Sequence, residues 1–400
     1  MHKPFDIADL EILEALGTYG PRNVTEVSRK LHMPAETLRK KLKRLNSQTF
    51  LRFNANVHHA NLGLWKAVVF TEAVSGYENA LLDAFKINDF WTFLSRCYGM
   101  FEGCVGIFAV PDGSRSPFEH FIGELERVGL SKKSQIFWST SFYLVQSKRK
   151  WFNPRTKAWN FDWDGWVQEI ETANTNLPQV LAEPKVFQVD VDETDVFMLK
   201  ELEKDATISF KRLAKRLAIS PQLVRYHYYN HIIGRDLLGG FGATVFYFGN
   251  DSESAFFIFS FDGEQDLAMF ATSLLDKPFV KGLGKILGKK QLCGHLYFPR
   301  SEFRTFLGIL SKLVRSGLLK DYQYAIQDVS SSARETIPYQ CFKKGGWVYD
   351  DERYVNILNK FLEDTPLATN LEAVRPTSEL KEDISGSAHD KSTAVLNRTN

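Results

Sequence analysis

The residue types best suited to chemistry lie in one short basic stretch. Residues 24–45 read VTEVSRKLHMPAETLRKKLKRL, in which His32-Met33-Pro34 interrupts a helical periodicity. Leu38, Leu42 and Leu45 are spaced by four and three, so they form one buried stripe. The other side chains of this second helix are predicted to face outward or to flank the outward face: Glu36, Thr37, Arg39, Lys40, Lys41, Lys43 and Arg44. Cations on a helix that is held by aliphatic residues can enter a groove lined by phosphates, and the alternative is a solvated basic helix.

The other candidate residues do not favour a metal site, a phosphate-binding loop or a disulfide framework. Adjacent side chains on a strand point to opposite faces, so His58 and His59 are not expected to share a metal ion. The basic, glycine-rich segment 281–290 lacks the residue order of a phosphate-binding loop. The cysteines are far apart and form no C-x-x-C pair, which disfavours zinc and a disulfide framework: Cys97, Cys104, Cys293 and Cys341. We therefore expect no metal, no cofactor, no catalytic residue and no enzymatic activity.

Composition is typical of a cytoplasmic globular protein. The chain has 400 residues, enough for two to four domains, with 44% hydrophobic and 24% charged residues. Its net charge is only +2, so any basic surface must be local. The N-terminus lacks an apolar signal core, and no run is long enough to span a membrane.

The basic stretch is predicted to sit in a winged helix-turn-helix. A first helix is expected over Ile7–Leu16, before the two helices of residues 24–45. Residues 49–53 and 56–58 are predicted to form a short hairpin after them. Three helices and a hairpin are the winged helix-turn-helix pattern. Residues 64–145 then follow the order β-α-β-β-α-β, which is the split ferredoxin-like arrangement.

The same order starts again in the second half of the chain. Helices are predicted over Asp192–Leu202, Phe210–Leu217 and Gln222–Ile232, and a second β-α-β-β-α-β pattern spans 255–327. The pattern predicts an α+β protein with two tandem copies of a winged helix-turn-helix followed by a βαββαβ ferredoxin-like domain. The predicted domains are 5–60 and 189–248 (winged helix-turn-helix), 64–147 and 253–328 (ferredoxin-like), 148–188 (aromatic coda and linker), 329–364 (aromatic coda and C-terminal helix) and 365–400 (disordered tail).

The second recognition helix differs from the first. Helical geometry predicts that Gln222, Tyr226, Tyr229 and Asn230 face outward, with Arg225 to one side. These side chains can hydrogen-bond base edges or stack on bases, but they neutralise few phosphates. The alternative is a packed relic whose tyrosines fill a core or an interface.

Each half resembles the leucine-responsive/asparagine regulator (Lrp/AsnC) family. The stretch VDVDETDVFMLKELEKDATISFKRLAKRLAISPQLVRYHYYNHI is similar to the family's D-x-x-D-x-x-I-L-x-x-L helix and to the helix-turn-helix after it. Gly99-Met100-Phe101-Glu102 resembles the G-x-(F/Y)-(D/N) hairpin of the family's effector domain. In the second half the corresponding residues, 288–291, have lost the aromatic and acidic positions.

That resemblance implies a transcriptional regulator whose partner is double-stranded DNA. It also implies a small-molecule effector, such as an amino acid, near Gly99, Phe101 and Glu102. Family members dimerise through their sheets, so a tandem chain would form a pseudo-dimer by itself or a homo-oligomer.

Two other functions stay open. Siroheme decarboxylases are similar in using this two-domain architecture, with histidine and arginine side chains acting on tetrapyrrole carboxylates. Arg52-Phe53 to His58-His59 parallels their motif in position only, because the full R-R-x-G-A-x-x-x-H pattern is missing. A sensor or assembly module, whose helix-turn-helix units bind protein, is the third hypothesis.

Overall fold

Residues 5–22, 24–48, 51–139, 142–145, 149–183, 190–244, 248 and 251–364 are described in the computed structural model. The chain divides into two units, Met1–Leu358 and Asn359–Asn400, and the elements that concern function all belong to the first. The predicted disordered tail (365–400) and part of the predicted linker (184–189) lie outside the described residues. No helix in the described part of the chain is both long and apolar enough to cross a bilayer.

The first helix-turn-helix forms as predicted. Its elements are α1 (Ile7–Tyr19), α2 (Val24–Lys30), α3 (Ala35–Gln48) and the strand β1 (Arg52–Val57). Asp6 and Asp9 form a capping box, in which each carboxylate accepts a hydrogen bond from the other's backbone N–H, and α1 begins there. Leu38 of α3 is fully buried in one apolar cluster with Leu16 and Val27. This cluster orients the recognition helix α3.

A βαββαβ unit follows in the predicted order. Its elements are β2 (Leu64–Ala73), α4 (Glu78–Phe85), β3 (Trp91–Gly99), β4 (Gly103–Pro111), α5 (Arg115–Arg127) and β5 (Ser131–Ser139). The strands are arranged β5-β2-β4-β3, the ferredoxin-like order. The prediction that the last strand continues to Val145 was wrong. Tyr143–Leu144 is a separate strand, β6, which pairs with residues 282–283 of the second half.

The first aromatic coda packs into the second half. It contains β7 (Phe152–Asn153), β8 (Ala158–Trp159) and α6 (Trp163–Thr172). Trp166 is fully buried, stacks on Phe306 at a centroid distance of 5.6 Å, and donates a hydrogen bond from Nε1 to Ser273 Oγ (3.0 Å). The coda is therefore a structural part of the second half's core.

The second helix-turn-helix repeats the first with one irregularity. Its elements are α7 (Glu193–Lys204), α8 (Phe210–Leu217), α9 (Pro221–Tyr226), a π-helical segment (His227–Ile233) and β9 (Leu238–Thr244). Asp192 and Asp195 form the same capping box at the start of α7. The recognition helix, predicted as one α-helix over 222–232, widens into the π-helix at its midpoint. A π-turn holds an extra residue, and such turns are frequent at functional sites.

The second βαββαβ unit completes the predicted α+β fold. Its elements are β10 (Ser252–Ser260), α10 (Glu264–Leu274), β11 (Val280–Lys285), β12 (Gln291–Pro299), α11 (Arg300–Arg315) and β13 (Asp321–Gln327). Short strands and a helix follow: β14 (Ala333–Arg334), β15 (Phe342–Lys343), β16 (Gly346–Trp347) and α12 (Asp351–Asp364).

The predicted hairpin after α3 does not form. The chain from Arg52 to Val57 stays extended and pairs antiparallel with β9 of the other helix-turn-helix, with Phe53 opposite Ala243. The sequence RFNANV contains no glycine or proline that would favour a tight turn, and β9 supplies the missing partner. One two-stranded ribbon therefore joins the two helix-turn-helix units.

The two ferredoxin-like sheets close on each other. Strand β3 pairs with β13, and Leu287 N, just after β11, donates a hydrogen bond to Trp138 O in β5 (2.8 Å). Alternate residues of β10 face opposite ways. Phe256 lies in a core built by both halves, together with Phe70, Phe93 and Phe101, which we call the enclosed core. Phe257 lies in the core that includes α10 and α11 residues. The two halves of the chain thus pair through their sheets.

Candidate functional site

The exposed face of α3 carries three cations. Thr37, Arg39, Lys40 and Lys43 are all exposed. Arg39 makes one loose ion pair with Glu36, at 3.7 Å between guanidinium and carboxylate. An exposed pair at this distance contributes little and is readily exchanged for a phosphate. These four side chains keep the geometry that the DNA-binding prediction needs.

Arg44 does not face outward, so that part of the prediction was wrong, and Lys41, which was predicted to flank the outward face, turns inward as well. Lys41 Nζ lies 2.9 Å from Asp6 Oδ2 and 3.2 Å from Asp9 Oδ1, and Arg44 also pairs with Asp9. Asp9 is only 1% exposed, and a buried carboxylate requires a nearby cation. The two cations therefore fix α3 to the start of α1, and the exposed face of α3 is left to their neighbours.

The second recognition helix displays its polar residues. The predicted residues are all exposed: Gln222, Arg225, Tyr226, Tyr229 and Asn230. Tyr226 and Tyr229 are 53% and 59% exposed, so the alternative that they fill a core was wrong. Asn230 Nδ2 donates to Tyr226 O (3.1 Å), which ties its side chain to its own helix. Ser220 Oγ accepts from Leu223 N (3.1 Å) and caps the helix.

Sequence reasoning missed a basic surface on α8. Its exposed cations are Lys211, Arg212, Lys215 and Arg216, and Arg216 pairs with Glu201. The signal was the sequence FKRLAKRL, whose leucines face inward and whose cations face out. The first helix of a helix-turn-helix crosses the DNA backbone, so this is a position where cations meet phosphates.

Arg22 joins the two helix-turn-helix units. Its Cζ lies 4.8 Å from the ring centroids of both Phe210 and Tyr228, and Nε donates to Ala206 O (3.1 Å). Burial lowers the pKa of this guanidinium. This contact and the β1–β9 ribbon fix the two helix-turn-helix units, with their recognition helices, relative to each other.

An aspartate–histidine cluster lies beneath the second recognition helix. His227 Nδ1 lies 2.8 Å from Asp195 Oδ1, and His231 Nδ1 lies 2.9 Å from Asp195 Oδ2. Asp192 Oδ2 is 3.8 Å from His227 Nδ1. Sequence reasoning missed this cluster, although D-x-x-D and H-x-x-x-H both appear in the printed sequence.

A cationic cluster lies at one end of the enclosed core. His295 is stacked on Phe256 at 4.2 Å, and its Nε2 is 2.9 Å from Ser254 Oγ. Burial, then Lys281 and Arg334, hold the pKa of His295 well below its ordinary value. Burial and Arg334 lower the pKa of Lys281 to about 7. His295 is buried, Lys281 is half-buried and Arg334 is exposed. Neighbouring groups that repel one another as cations favour an anionic ligand.

The stretch from Arg52-Phe53 to His58-His59 contributes one charge to the surroundings of this cluster. Burial and then the charge of Arg52 lower the pKa of Arg334. His59 Nε2 lies 2.9 Å from Glu203 Oε1, and His58 Nε2 lies 3.9 Å from Asp236 Oδ1. The adjacent histidines therefore face different carboxylates.

The predicted effector hairpin is split between core and surface. Phe101 is 9% exposed, and its ring centroid lies 5.2 Å from that of Phe70 inside the enclosed core. Glu102 is exposed, and Gly99 has φ +108°, a conformation that favours glycine. Phe101 thus fills the core, and effector binding here stays a prediction.

Comparisons with known proteins agree with this architecture. Residues 191–228 match the family of winged helix-turn-helix DNA-binding domains. The crystal structure of the siroheme decarboxylase NirDL is similar over 89% of this chain and 98% of that one, at 12% identity and a TM-score of 0.51. The Neisseria meningitidis transcriptional regulator NMB0573 with L-Met and B. subtilis LrpC each cover 34% of this chain, and 88% and 94% of their own chains, at 17% identity and TM-scores of 0.29. No curated protein sequence matches the chain.

One expectation is overturned by these comparisons. The sequence analysis expected a protein that is not an enzyme, yet the structure that is similar along almost the whole chain is that of an enzyme. The same fold therefore occurs with catalysis, and function must be argued from the sites.

Proposed function

We propose that the protein is a DNA-binding transcriptional regulator of the Lrp/AsnC type. The observation that carries the proposal is the division of cations on α3. Lys41 and Arg44 hold the helix by its buried side, and Arg39, Lys40 and Lys43 are exposed on the other side. A recognition helix needs both a fixed orientation and cations for the phosphates. The winged helix-turn-helix match at residues 191–228 supports a second DNA-binding unit in the same frame.

The two units divide the work of binding in this proposal. In the first unit the recognition helix supplies phosphate contacts through Lys40 and Lys43. In the second unit α8 supplies them through Lys211 and Lys215, which frees Arg225 and its polar neighbours for base edges. The shared ribbon and Arg22 would present both units to one duplex.

The test is equilibrium binding to mixed genomic fragments across a salt series. Lys40→Ala/Lys43→Ala should lower the slope of log K against log salt by about two, since each phosphate contact contributes about 0.9. The matched control is Lys312→Ala/Arg315→Ala, which removes two exposed cations with the same spacing from α11 and should leave the slope unchanged. Absence of binding at moderate salt, or an equal loss in both variants, would contradict the proposal.

A second candidate function is favoured by the cationic cluster. We infer that Lys281, His295 and Arg334 could bind the carboxylates of a tetrapyrrole, with Phe256 and Phe93 as apolar neighbours. Decarboxylation breaks the bond between carbon and the carboxyl group, releases carbon dioxide and needs a proton for the carbon. The Lys281 ammonium, whose pKa is about 7, can supply a proton at neutral pH.

Absorption spectroscopy separates this candidate from the first. Added iron uroporphyrin should shift its main absorption band on binding, and mass spectrometry should detect loss of carbon dioxide if the protein acts on a tetrapyrrole substrate. Arg334→Gln should weaken binding by about tenfold or more, because hydrogen bonds to charged groups contribute about 1.5–3 kcal/mol each. The variant Lys312→Ala serves as the control. If wild type and Arg334→Gln bind equally, the cluster is not a carboxylate site.

A further inference from the structure

Two side chains from the start of α7 and two from the π-helical segment converge on one point. Their nearest ligand atoms, two imidazole Nδ1 and two carboxylate oxygens, all lie within 4.8 Å of one another: Asp192, Asp195, His227 and His231. Ligands around a tetrahedral zinc ion, at bond lengths of about 2.0–2.1 Å, are about 3.3 Å apart. The separations from His227 Nδ1 to the two aspartates, 2.8 and 3.8 Å, lie on either side of that value. An ion at the centre would need only small side-chain movements.

The same position in the first helix-turn-helix shows what the cluster lacks. There the capping-box carboxylates Asp6 and Asp9 face the permanent cations Lys41 and Arg44. In the second unit Asp195 is 0% exposed, and the groups bonded to it across the helix pair are imidazoles. A buried carboxylate is costly without positive charge. A divalent cation would supply the two charges that an ammonium and a guanidinium supply in the first unit.

The donor set fits a particular class of ion. Neutral imidazole nitrogens combined with carboxylate oxygens suit Zn²⁺ and neighbouring transition metals, whereas Ca²⁺ and Mg²⁺ prefer oxygen ligands alone. His227 and His231 are four residues apart on one helix, the spacing with which helical histidines bind zinc together. The capping box fixes the two aspartates, because Asp195 N donates to Asp192 Oδ1 (2.9 Å). The ligands are thus held by two elements.

We propose that Asp192, Asp195, His227 and His231 form a binding site for Zn²⁺ or a similar divalent transition metal. The site joins the start of α7 to the midpoint of the second recognition helix, where the π-helical segment begins. A bound ion would anchor that helix as Lys41 and Arg44 anchor α3. An effect on DNA affinity would rest on the proposed function, but metal binding itself does not.

The experiment measures metal binding without DNA. The full chain is freed of metal with a chelator, Zn²⁺ binding is followed by competition with a chromophoric chelator, and Co²⁺ is used as a spectroscopic probe. We expect one equivalent of Zn²⁺ and a Co²⁺ absorption typical of tetrahedral coordination. His227→Lys, which places an ammonium where the first unit has Lys41, should keep the fold and weaken Zn²⁺ binding at least about 100-fold.

A matched control distinguishes this site from ordinary surface histidines. His120 also faces two carboxylates, Asp351 at 2.8 Å and Glu124 at 3.7 Å, but it is a single exposed imidazole. His120→Gln should leave the Zn²⁺ stoichiometry and affinity unchanged. Equal Zn²⁺ binding by wild type and His227→Lys would overturn the proposal, as would a wild-type protein that binds none. Thermal melting of metal-free wild type and His227→Lys checks that both variants compared are folded.

Discussion

Each of the two helix-turn-helix units in this chain buries a carboxylate at the equivalent position, and the two units neutralise it with different groups. Asp9 of α1 and Asp195 of α7 both occupy position N3 of a capping box, and both are almost inaccessible to solvent. Asp9 faces an ammonium and a guanidinium, and Asp195 faces two imidazoles. Lysine and arginine keep their charge at neutral pH, whereas histidine carries one only when protonated. The first recognition helix is therefore held by permanent cations, and the second by hydrogen bonds between imidazoles and the carboxylate.

The largest expected difference is the response to losing the buried carboxylate. Asp9→Asn leaves two cations partly buried without their partner and should lower the free energy of unfolding by about 3–5 kcal/mol. Asp195→Asn in metal-free protein should lower it by only about 1–3 kcal/mol, because neutral imidazoles can share hydrogen bonds with an amide. Urea unfolding of both variants at neutral pH measures the difference. Equal losses would mean that the imidazoles stabilise Asp195 as strongly as the two cations stabilise Asp9.

A related contrast concerns two lysines, of which Lys66 is buried and Lys281 is half-buried. Burial lowers the pKa of Lys66 to about 8 although Glu203 opposes the shift, and burial together with Arg334 lowers the pKa of Lys281 to about 7. Lys281 therefore lies in the more cationic surroundings. Replacing it with methionine removes a charge that the fold disfavours.

Lys281→Met should therefore stabilise the protein, in a pH-dependent way. The folded-state pKa is below the ordinary value of 10.5, so the unfolded chain binds the extra proton between about pH 7 and 10.5. The gain should be about 1–3 kcal/mol below pH 7 and should decrease as pH rises through that window. Lys66→Met should give a smaller gain, because it also removes a partner of Glu203. Urea unfolding at pH 6.5 and 9.5 measures the gain in stability for both variants. A gain that does not depend on pH would contradict a lowered pKa of Lys281.

The surface contrast predicts different effects on DNA binding. Arg225→Ala should cost about 1–3 kcal/mol on preferred fragments and reduce the preference among fragments. Lys40→Ala should weaken binding to all fragments alike and lower the salt slope by about one. Competition between enriched and random fragments separates the two outcomes. If Arg225→Ala weakened all fragments equally, the second helix would be a phosphate contact like the first.

Periodicity predicted the helices and strands because core packing follows the spacing of apolar residues. Leu38 and Leu45 are buried as the stripe required, and both βαββαβ units form. Pairing between the halves could not be predicted, because a strand such as β1 has the same sequence pattern whether its partner is a hairpin or β9. The π-helical segment was missed because it has no periodicity of its own.

The exposed candidate residues were predicted better than the buried polar ones. Helical geometry placed Lys40 and Tyr226 on the surface correctly, since each depends only on its own helix. Arg44 was misplaced because its orientation depends on Asp9, which lies on another helix. The clusters around Asp195 and Lys281 likewise combine residues from separate elements. Such sites follow from tertiary contacts that spacing along one helix does not report.

The smallest expected effect concerns the ion pair between Lys41 and Asp6 and its contribution to stability at acidic pH. Burial alone would raise the pKa of Asp6, but a hydrogen bond from Lys41 and one from Asp9 N lower it overall from 3.8. A lowered folded-state pKa gives stability that is present above about pH 4 and lost as pH falls through the folded pKa. Asp6 is 35% exposed, so the contribution is about 0.5–1 kcal/mol. Lys41→Met should reduce the loss of stability between pH 5 and 3 by that amount, measured by urea unfolding. Equal losses of stability in wild type and Lys41→Met would show that the acid response belongs to the fold as a whole and not to this ion pair.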